Sequence, residues 1–168
     1  MIKNILLQKL RRNEPEASRR INLKPVIIES ISRCKRVQPM PSLHVEADNL
    51  YVLAAPDTLC MVFVHLIQNA QDATKACGFV DVRVQYFNQE AIITIEDNGK
   101  GMDEYFIKHL LFTPFETTKA GKGMGIGAYQ AKDYLEHLGG SVTVESQMNV
   151  GTIFTITLPV VIDHPLSQ

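Results

Sequence analysis

Cysteine is scarce in this chain of 168 residues and scattered where it occurs: Cys34, Cys60 and Cys77 are odd in number, form no C-x-x-C pair, and Cys60 falls inside an apolar helical pattern. That spacing excludes a disulfide framework, offers no zinc site, and points to a reducing compartment. No apolar run reaches the ~18 residues of a membrane-spanning helix, and the N-terminus lacks the pattern of a secretory signal. Bulk charge is missing too. With 17 Lys and Arg against 18 Asp and Glu, the net charge of −1 creates no field favouring nucleic acid or an anionic membrane. Lys9, Arg11, Arg12, Arg19 and Arg20 form a local basic stretch, read as the solvated side of a frayed helix. A chain of this length builds one core with a short appendage.

What is present is glycine in one place. Gly121-Lys122-Gly123-Met124-Gly125-Ile126-Gly127 puts four glycines at alternating positions before a helical pattern. Glycine removes the Cβ and admits φ > 0, so successive N–H groups can turn toward one anion, and the following helix aims its positive end there. Taken alone the run is also compatible with an ordinary turn.

The rest of the chain reads in order. Residues 2–12 carry an apolar stripe (Ile2, Ile5, Leu6, Leu10) too short to bury itself, ending at Asn13-Glu14-Pro15. Asn22-Leu23-Lys24-Pro25 predicts a helix start, continuing to about Arg36. Leu43–Ala47 and Leu50–Ala54 are short β-like runs around an Asp48-Asn49 turn. A long helix is expected from Pro56-Asp57 to Ala76, with Leu59, Val62, Phe63, Leu66, Ile67, Ala70, Ala73 and Thr74 as its buried face. His65, Asn69 and Asp72 fall on a second stripe, and Gln68, Gln71 and Lys75 on the side left for water.

Val80, Val82, Val84 and Tyr86 alternate with polar residues in a half-buried strand, and after a turn at Asn88-Gln89 a second strand runs to Asp97. Period-two counting puts Asp97 on the face of Ile93 and Ile95, so its carboxylate points inward and needs a partner. Asn98-Gly99-Lys100-Gly101 then turns the chain sharply. Residues 102–122 show a weak pattern, with a short helix through Ile107, Leu110 and Leu111, and are expected to form a mobile connection. Met124, Ala128, Ala131, Leu135 and Leu138 mark a helix ending at Gly139-Gly140, and residues 141–146 and 151–158 a closing hairpin. The sum is an α/β sandwich: a mixed, mainly antiparallel sheet covered on one face by helices.

These pieces share a theme, and in that order they resemble the Bergerat-type ATP-binding domain shared by sensor histidine kinases, type II topoisomerases, heat-shock chaperones and mismatch-repair ATPases. His65-Leu-Ile-Gln-Asn69-Ala70 resembles the N box, Glu96 to Met102 the G1 box, Leu111-Phe112-Thr113-Pro114-Phe115 the F box, Gly121 to Gly127 the G2 box and Gly151-Thr152 the G3 turn. The F box points to the histidine kinases. The stretches His65 to Thr74, Pro114 to Lys119 and Gly123 to Tyr129 look like the sensor kinases of exosortase (PEP-CTERM) systems. The implied layout is a remnant of a dimerisation helix and linker at 1–20, the ATP-binding domain at 21–162 and a tail at 163–168.

The resemblance implies ATP and Mg²⁺ as ligands. Asp97 would accept the exocyclic amine of adenine, Gly99 and Gly101 would let backbone approach the base, Thr152 would support the adenine end, and Asn69 would offer an oxygen to Mg²⁺, a hard ion content with few protein ligands. Gly121, Gly123, Gly125 and Gly127 would cradle phosphates, with Lys119 or Lys122 as point charges. The implied nucleotide-binding set extends to Asp72, Ala73, Met102, Thr118, Met124 and Ile126. Two positions depart from the family pattern. His65 stands where many histidine kinases have Asn and topoisomerases have Glu as general base, so it either takes a proton or positions its neighbours. Asp72 stands where relatives place Lys, which moves the phosphate charge partner to the lid.

None of the five histidines is followed by an acidic residue: Val45 follows His44, leucine follows His65, His109 and His137, and Pro165 follows His164. A phosphoacceptor histidine is therefore expected on a dimerisation domain outside this chain, contacted through exposed Phe112 and Phe115. The implied parent is a homodimeric kinase anchored in the inner membrane, served by a response regulator, with this monomeric domain in the cytoplasm. An anti-sigma-factor-type serine kinase and a non-catalytic ATP-responsive module share the same motifs and are the alternatives.

Overall fold

The helix from Pro56 is the element the others pack on. In the computed structural model, which describes residues 17–114 and 126–162, the order is β1 (Arg19–Asn22), α1 (Leu23–Arg33), β2 (Pro41–Val45), β3 (Tyr51–Ala54), α2 (Pro56–Ala73), β4 (Val80–Phe87), β5 (Glu90–Asp97), α3 (Glu104–His109), α4 (Ile126–His137), β6 (Ser141–Gln147) and β7 (Gly151–Pro159). Five strands form one sheet in the order β2-β4-β5-β7-β6, antiparallel except for the parallel β2–β4 pair. α2 packs on α1, α4 and β5, and α4 reaches β6, so the helices lie on one face as the sequence predicts. Among the described residues no helix is long and apolar enough to cross a membrane.

The core is the seam between that helical layer and the sheet. Leu59, Phe63, Leu66 and Ile67 of α2 meet Ile93, Ile95, Ile156 and Leu158, all fully buried. Each such side chain contributes roughly 1.5–3 kcal/mol by leaving water. α2 is buried well beyond the predicted stripe, since Cys60, Met61, Val64 and His65 are covered as well. It stops at Ala73, short of the predicted Ala76, because Thr74 adopts extended backbone (φ −117°, ψ 139°). α1 starts as predicted: the Asn22 side chain accepts from the Lys24 N–H at 3.3 Å.

The two β runs flanking Asp48-Asn49 join different sheets: β2 pairs with β4, matching Leu43 with Val82, while β3 pairs with β1, matching Ile21 with Val52. Arg19 and Arg20 accordingly belong to a strand, with the Arg20 guanidinium 4.2 Å from the centre of the Tyr51 ring, and are not part of a frayed helix; the apolar stripe of residues 2–12 lies outside the described residues, as does the 163–168 tail. The β4–β5 turn is where the sequence places it, with Asn88 and Gln89 both at positive φ (52° and 65°), the twist a two-residue hairpin requires.

Candidate functional site

The inward faces of three strands change from apolar to polar at the same end of the sheet. Val142 and Val144 are followed by Ser146 on β6, Thr152 precedes Phe154 and Ile156 on β7, and Ile93 and Ile95 precede Asp97 on β5. The register lines these up, Ser146 opposite Thr152 and Thr152 opposite Asp97, as one polar row across the sheet. Asp97 is 5% exposed, and among the described residues no cation is paired with it.

The Gly99 N–H donates to Asp97 Oδ1 at 2.8 Å, and the Thr152 backbone and Thr74 side chain are close enough to favour the charged carboxylate. Burial pushes the carboxyl above its ordinary range, these groups pull it back, and the neighbouring Glu96 charge adds to the rise. The result is an acceptor that is costly to leave without a ligand donor.

The turn after Asp97 is tied to three other elements. Lys100 N–H donates to Ala73 O at 2.9 Å and Asn149 N–H to Lys100 O at 2.7 Å, while Asn98 Oδ1 accepts from Phe79 N–H at 2.7 Å. A Cβ on Gly99 would overlap the Ala73 carbonyl and stand 2.8 Å from Thr74 Oγ1; one on Gly101, which has φ +70°, would overlap the Gln147 carbonyl. Only glycine permits both approaches. Met102 N–H donates to Ser146 Oγ at 2.8 Å, and Ser146 Oγ lies 2.7 Å from Thr152 Oγ1.

The polar stripe of α2 connects this turn to the start of α4. His65, Asn69 and Ala73 are spaced i, i+4, i+8, a line of about 12 Å along the helix axis. At one end Ala73 O holds the Asp97 turn; at the other, a Cβ on Gly127 would stand 3.4 Å from His65 Nδ1. His65 is buried at 4% exposure, Asn69 is half-buried between the two ends, and Asp72 is exposed. Ile126 begins α4. Thr118, Lys119, Gly121, Lys122, Gly123, Met124 and Gly125, together with Phe115, lie outside the described residues. Among the described residues no group of three or more His, Cys, Asp or Glu could hold a metal ion.

Other expected residues differ in setting. Phe112 is not a freely exposed aromatic: it is half-buried against the core, with Lys132 Nζ 4.7 Å from the ring centre. The short helix is α3, ending at His109 before Leu110 and Leu111; Asp103 caps it by accepting from Phe106 N–H at 2.7 Å. Gln71 does not face water. At 2% exposure its amide donates to the carbonyls of Cys34, Val37 and Pro39 at 2.8, 3.0 and 3.2 Å, pinning the loop after α1. Thr74 and Ser146 are contributors that sequence reasoning missed. Their signal was a hydroxyl on an inward face at the end of an element, legible only once the strands are aligned.

A family profile described as histidine kinase-, DNA gyrase B-, and HSP90-like ATPase matches residues 54–162. Sporulation kinase D of Bacillus subtilis is 33% identical over 111 residues, which cover 66% of this chain and 22% of that protein. The sensor histidine kinase ZraS of Salmonella typhimurium is 36% identical over 111 residues, 66% of this chain and 23% of the relative. The chain therefore spans less than a quarter of the length of these curated relatives. Among solved structures, the mycobacterial sensor histidine kinase MprB shares the fold with a TM-score of 0.71 at 22% identity, over 85% of this chain and 97% of that one. Full-length ShkA in complex with AMPPNP gives 0.76 at 15% identity, over 98% and 35%. With the profile running from the end of β3 past β7, and the sheet order and helical layer shared with kinase domains, this chain belongs to the histidine kinase-, DNA gyrase B-, and HSP90-like ATPase family, in the form that serves sensor histidine kinases as catalytic ATP-binding domain.

Proposed function

We propose that the chain binds Mg-ATP along the polar stripe of α2 and passes the γ-phosphoryl group to a histidine on a separate dimerisation domain. The observation that carries this reading is the line from the buried Asp97 row, through Asn69, to His65 and Gly127. Asp97 accepts the adenine amine, and the glycine turn keeps the base edge close to backbone. Asn69 would hold Mg²⁺ through its side-chain oxygen, and the ion would supply charge neutralisation at the phosphates. His65, packed at the head of α4, fixes where the phosphates lie, and the Gly121 to Gly127 run with Lys119 and Lys122 encloses them. Catalysis is then positioning and charge stabilisation, with no covalent step on this chain.

The acceptor histidine comes from the parent's dimerisation domain, docked beside Phe112 and Phe115, and the phosphoryl group passes on to a response regulator. The parent is a homodimer anchored in the inner membrane, with this domain on the cytoplasmic side. The stretches His65 to Thr74 and Gly123 to Tyr129 support a place among exosortase-associated kinases.

Two measurements test the reading. Calorimetric titration with ATP and Mg²⁺ should show Asp97→Asn binding far more weakly and Asn69→Ala losing its Mg²⁺-dependence; wild-type affinity in Asp97→Asn overturns the adenine assignment. Radiolabelled ATP with an added phosphoacceptor domain should give acid-labile phosphohistidine. Acid-stable phosphoserine instead supports the anti-sigma-factor type, and nucleotide binding without transfer supports a non-catalytic module.

A further inference from the structure

Ser146, the last inward-facing residue of β6, is a junction of hydrogen bonds. Its Oγ accepts from the Met102 N–H at 2.8 Å, reaches the Gly151 carbonyl oxygen at 3.0 Å and lies 2.7 Å from Thr152 Oγ1. Thr152 is 5% exposed and stands in register between Ser146 on one side and Asp97 on the other. At this end of the sheet a carboxylate and a hydroxyl are thus neighbours, and Ser146 touches the hydroxyl from the side away from Asp97.

Each hydroxyl carries one hydrogen and two lone pairs. The Met102 N–H only donates and the Gly151 carbonyl only accepts, so the two hydroxyls have two arrangements. In one, Thr152 donates to Ser146 and Ser146 to Gly151 O, and Thr152 turns only lone pairs to the site. In the other, Ser146 gives up the longer bond to Gly151 O and donates to Thr152, whose own hydrogen is then offered beside the carboxylate. Two oxygens 2.7 Å apart need a hydrogen between them, so a ligand acceptor at Thr152 selects the second arrangement. Donation then runs one way, from the Met102 N–H through Ser146 and Thr152 to the ligand, and in such a chain each bond polarises and strengthens the next. An acceptor beside a donor complements adenine, whose exocyclic amine donates next to the ring nitrogen N1, which accepts; guanine presents a carbonyl and an N–H in the reverse order.

We propose that Ser146 is a positioning residue for base recognition: it makes the Thr152 hydroxyl a donor beside the Asp97 acceptor, so that the site reads the N1 acceptor of adenine as well as its amine. This rests on Asp97 as the partner of the adenine amine. A merely structural Ser146 would tie Met102 to the β6–β7 turn and affect every nucleotide alike.

The test is calorimetric titration of the full 168-residue chain with ATP and with 1-deaza-ATP, which keeps the amine and replaces N1 by C–H. ATP should bind roughly tenfold more tightly than the analogue, the scale of one hydrogen bond. Ser146→Ala should narrow that ratio to about threefold, because Thr152 loses the donor that fixes its direction. Ser146→Val, which also fills the space left by the hydroxyl, should narrow it in the same way, and Ser146→Thr should restore it. Thr152→Val should abolish the preference, and adding Ser146→Ala to it should change the ratio no further. If Ser146→Ala and Ser146→Val weaken both nucleotides equally and keep the wild-type ratio, the role of Ser146 is overturned and the nucleotide reading stands. A wild-type chain that binds both nucleotides equally, with ATP binding still lost in Asp97→Asn, removes the Thr152 donor and the role of Ser146 with it. Wild-type ATP affinity in Asp97→Asn removes the nucleotide reading itself, and this inference along with it.

Discussion

The turn after Asp97 and the helix that follows it are neighbours in sequence but opposites in support. Residues 98–101 bond to α2, to the start of β4 and to the β6–β7 turn. α3 makes its polar bonds within itself, with Asp103 capping it, Glu104 paired with Lys108 and Thr113 bonded to the carbonyls of His109 and Leu110, and adds only half-buried Phe106 against the core. None of the six α3 residues is buried. The contrast separates two tasks. The base-reading role proposed for the turn needs donors and acceptors fixed before a ligand arrives, whereas a segment that keeps its own hydrogen bonds can shift without leaving backbone groups unsatisfied.

The sharpest way to break this comparison is Gly101→Ala. A Cβ there needs φ +70° and overlaps the Gln147 carbonyl, so urea unfolding should show a loss of about 3 kcal/mol or more. A loss no larger than that of an ordinary surface substitution would mean the turn is not fixed. Asp97→Asn comes next. It presents a donor where adenine also donates, and should cost on the order of 100-fold in ATP affinity, read by calorimetry, with the fold retained.

Gln71→Ala separates structure from function on α2 itself. Three loop carbonyls lose their donor, so stability should fall by about 1–3 kcal/mol while ATP affinity at saturation of folded protein stays near wild type. A selective loss of affinity would instead place the α1–β2 loop in the site.

pH supplies a smaller, signed effect. Because the folded carboxyl of Asp97 lies above its unfolded value, the folded chain holds that proton more tightly. Its contribution to stability is therefore fullest at low pH and declines as pH rises from the ordinary carboxylate range through the raised folded pKa. Asp97→Asn lacks that decline, so its stability relative to wild type should grow as pH rises over this window; a constant difference across denaturation curves would contradict the buried, charge-strained carboxylate. The smallest effect is expected for Asp103→Ala. Losing the cap costs about 1 kcal/mol, confined to α3, so hydrogen exchange should quicken at residues 104–109 while the unfolding midpoint stays put.

Much of the site was legible because it rests on local rules. Period-two alternation alone aimed Asp97 inward, helical spacing alone set His65 and Asn69 on one stripe, and Asn88-Gln89 announced its turn. What escaped depends on partners distant in sequence. Gln71 looked solvated because only the loop at 34–39 buries it, and Arg19 and Arg20 looked helical because only β3 makes them a strand. Ser146 joined the site through a register that two separate hairpins must share. Thr74 was counted as core, which its burial supports.

The β5–β7 ladder, in which Asp97 faces Thr152, has a consequence for how the chain can vary. The eight paired positions hold both ends of the intervening segment, which contains α3, α4 and β6, regardless of what lies between. Closing a longer loop between fixed ends adds only about 0.6 kcal/mol for each doubling of its length. Insertions or deletions between α3 and α4 would thus leave the paired row of Asp97, Thr152 and Ser146 intact, so that length can change there without disturbing the proposed base site.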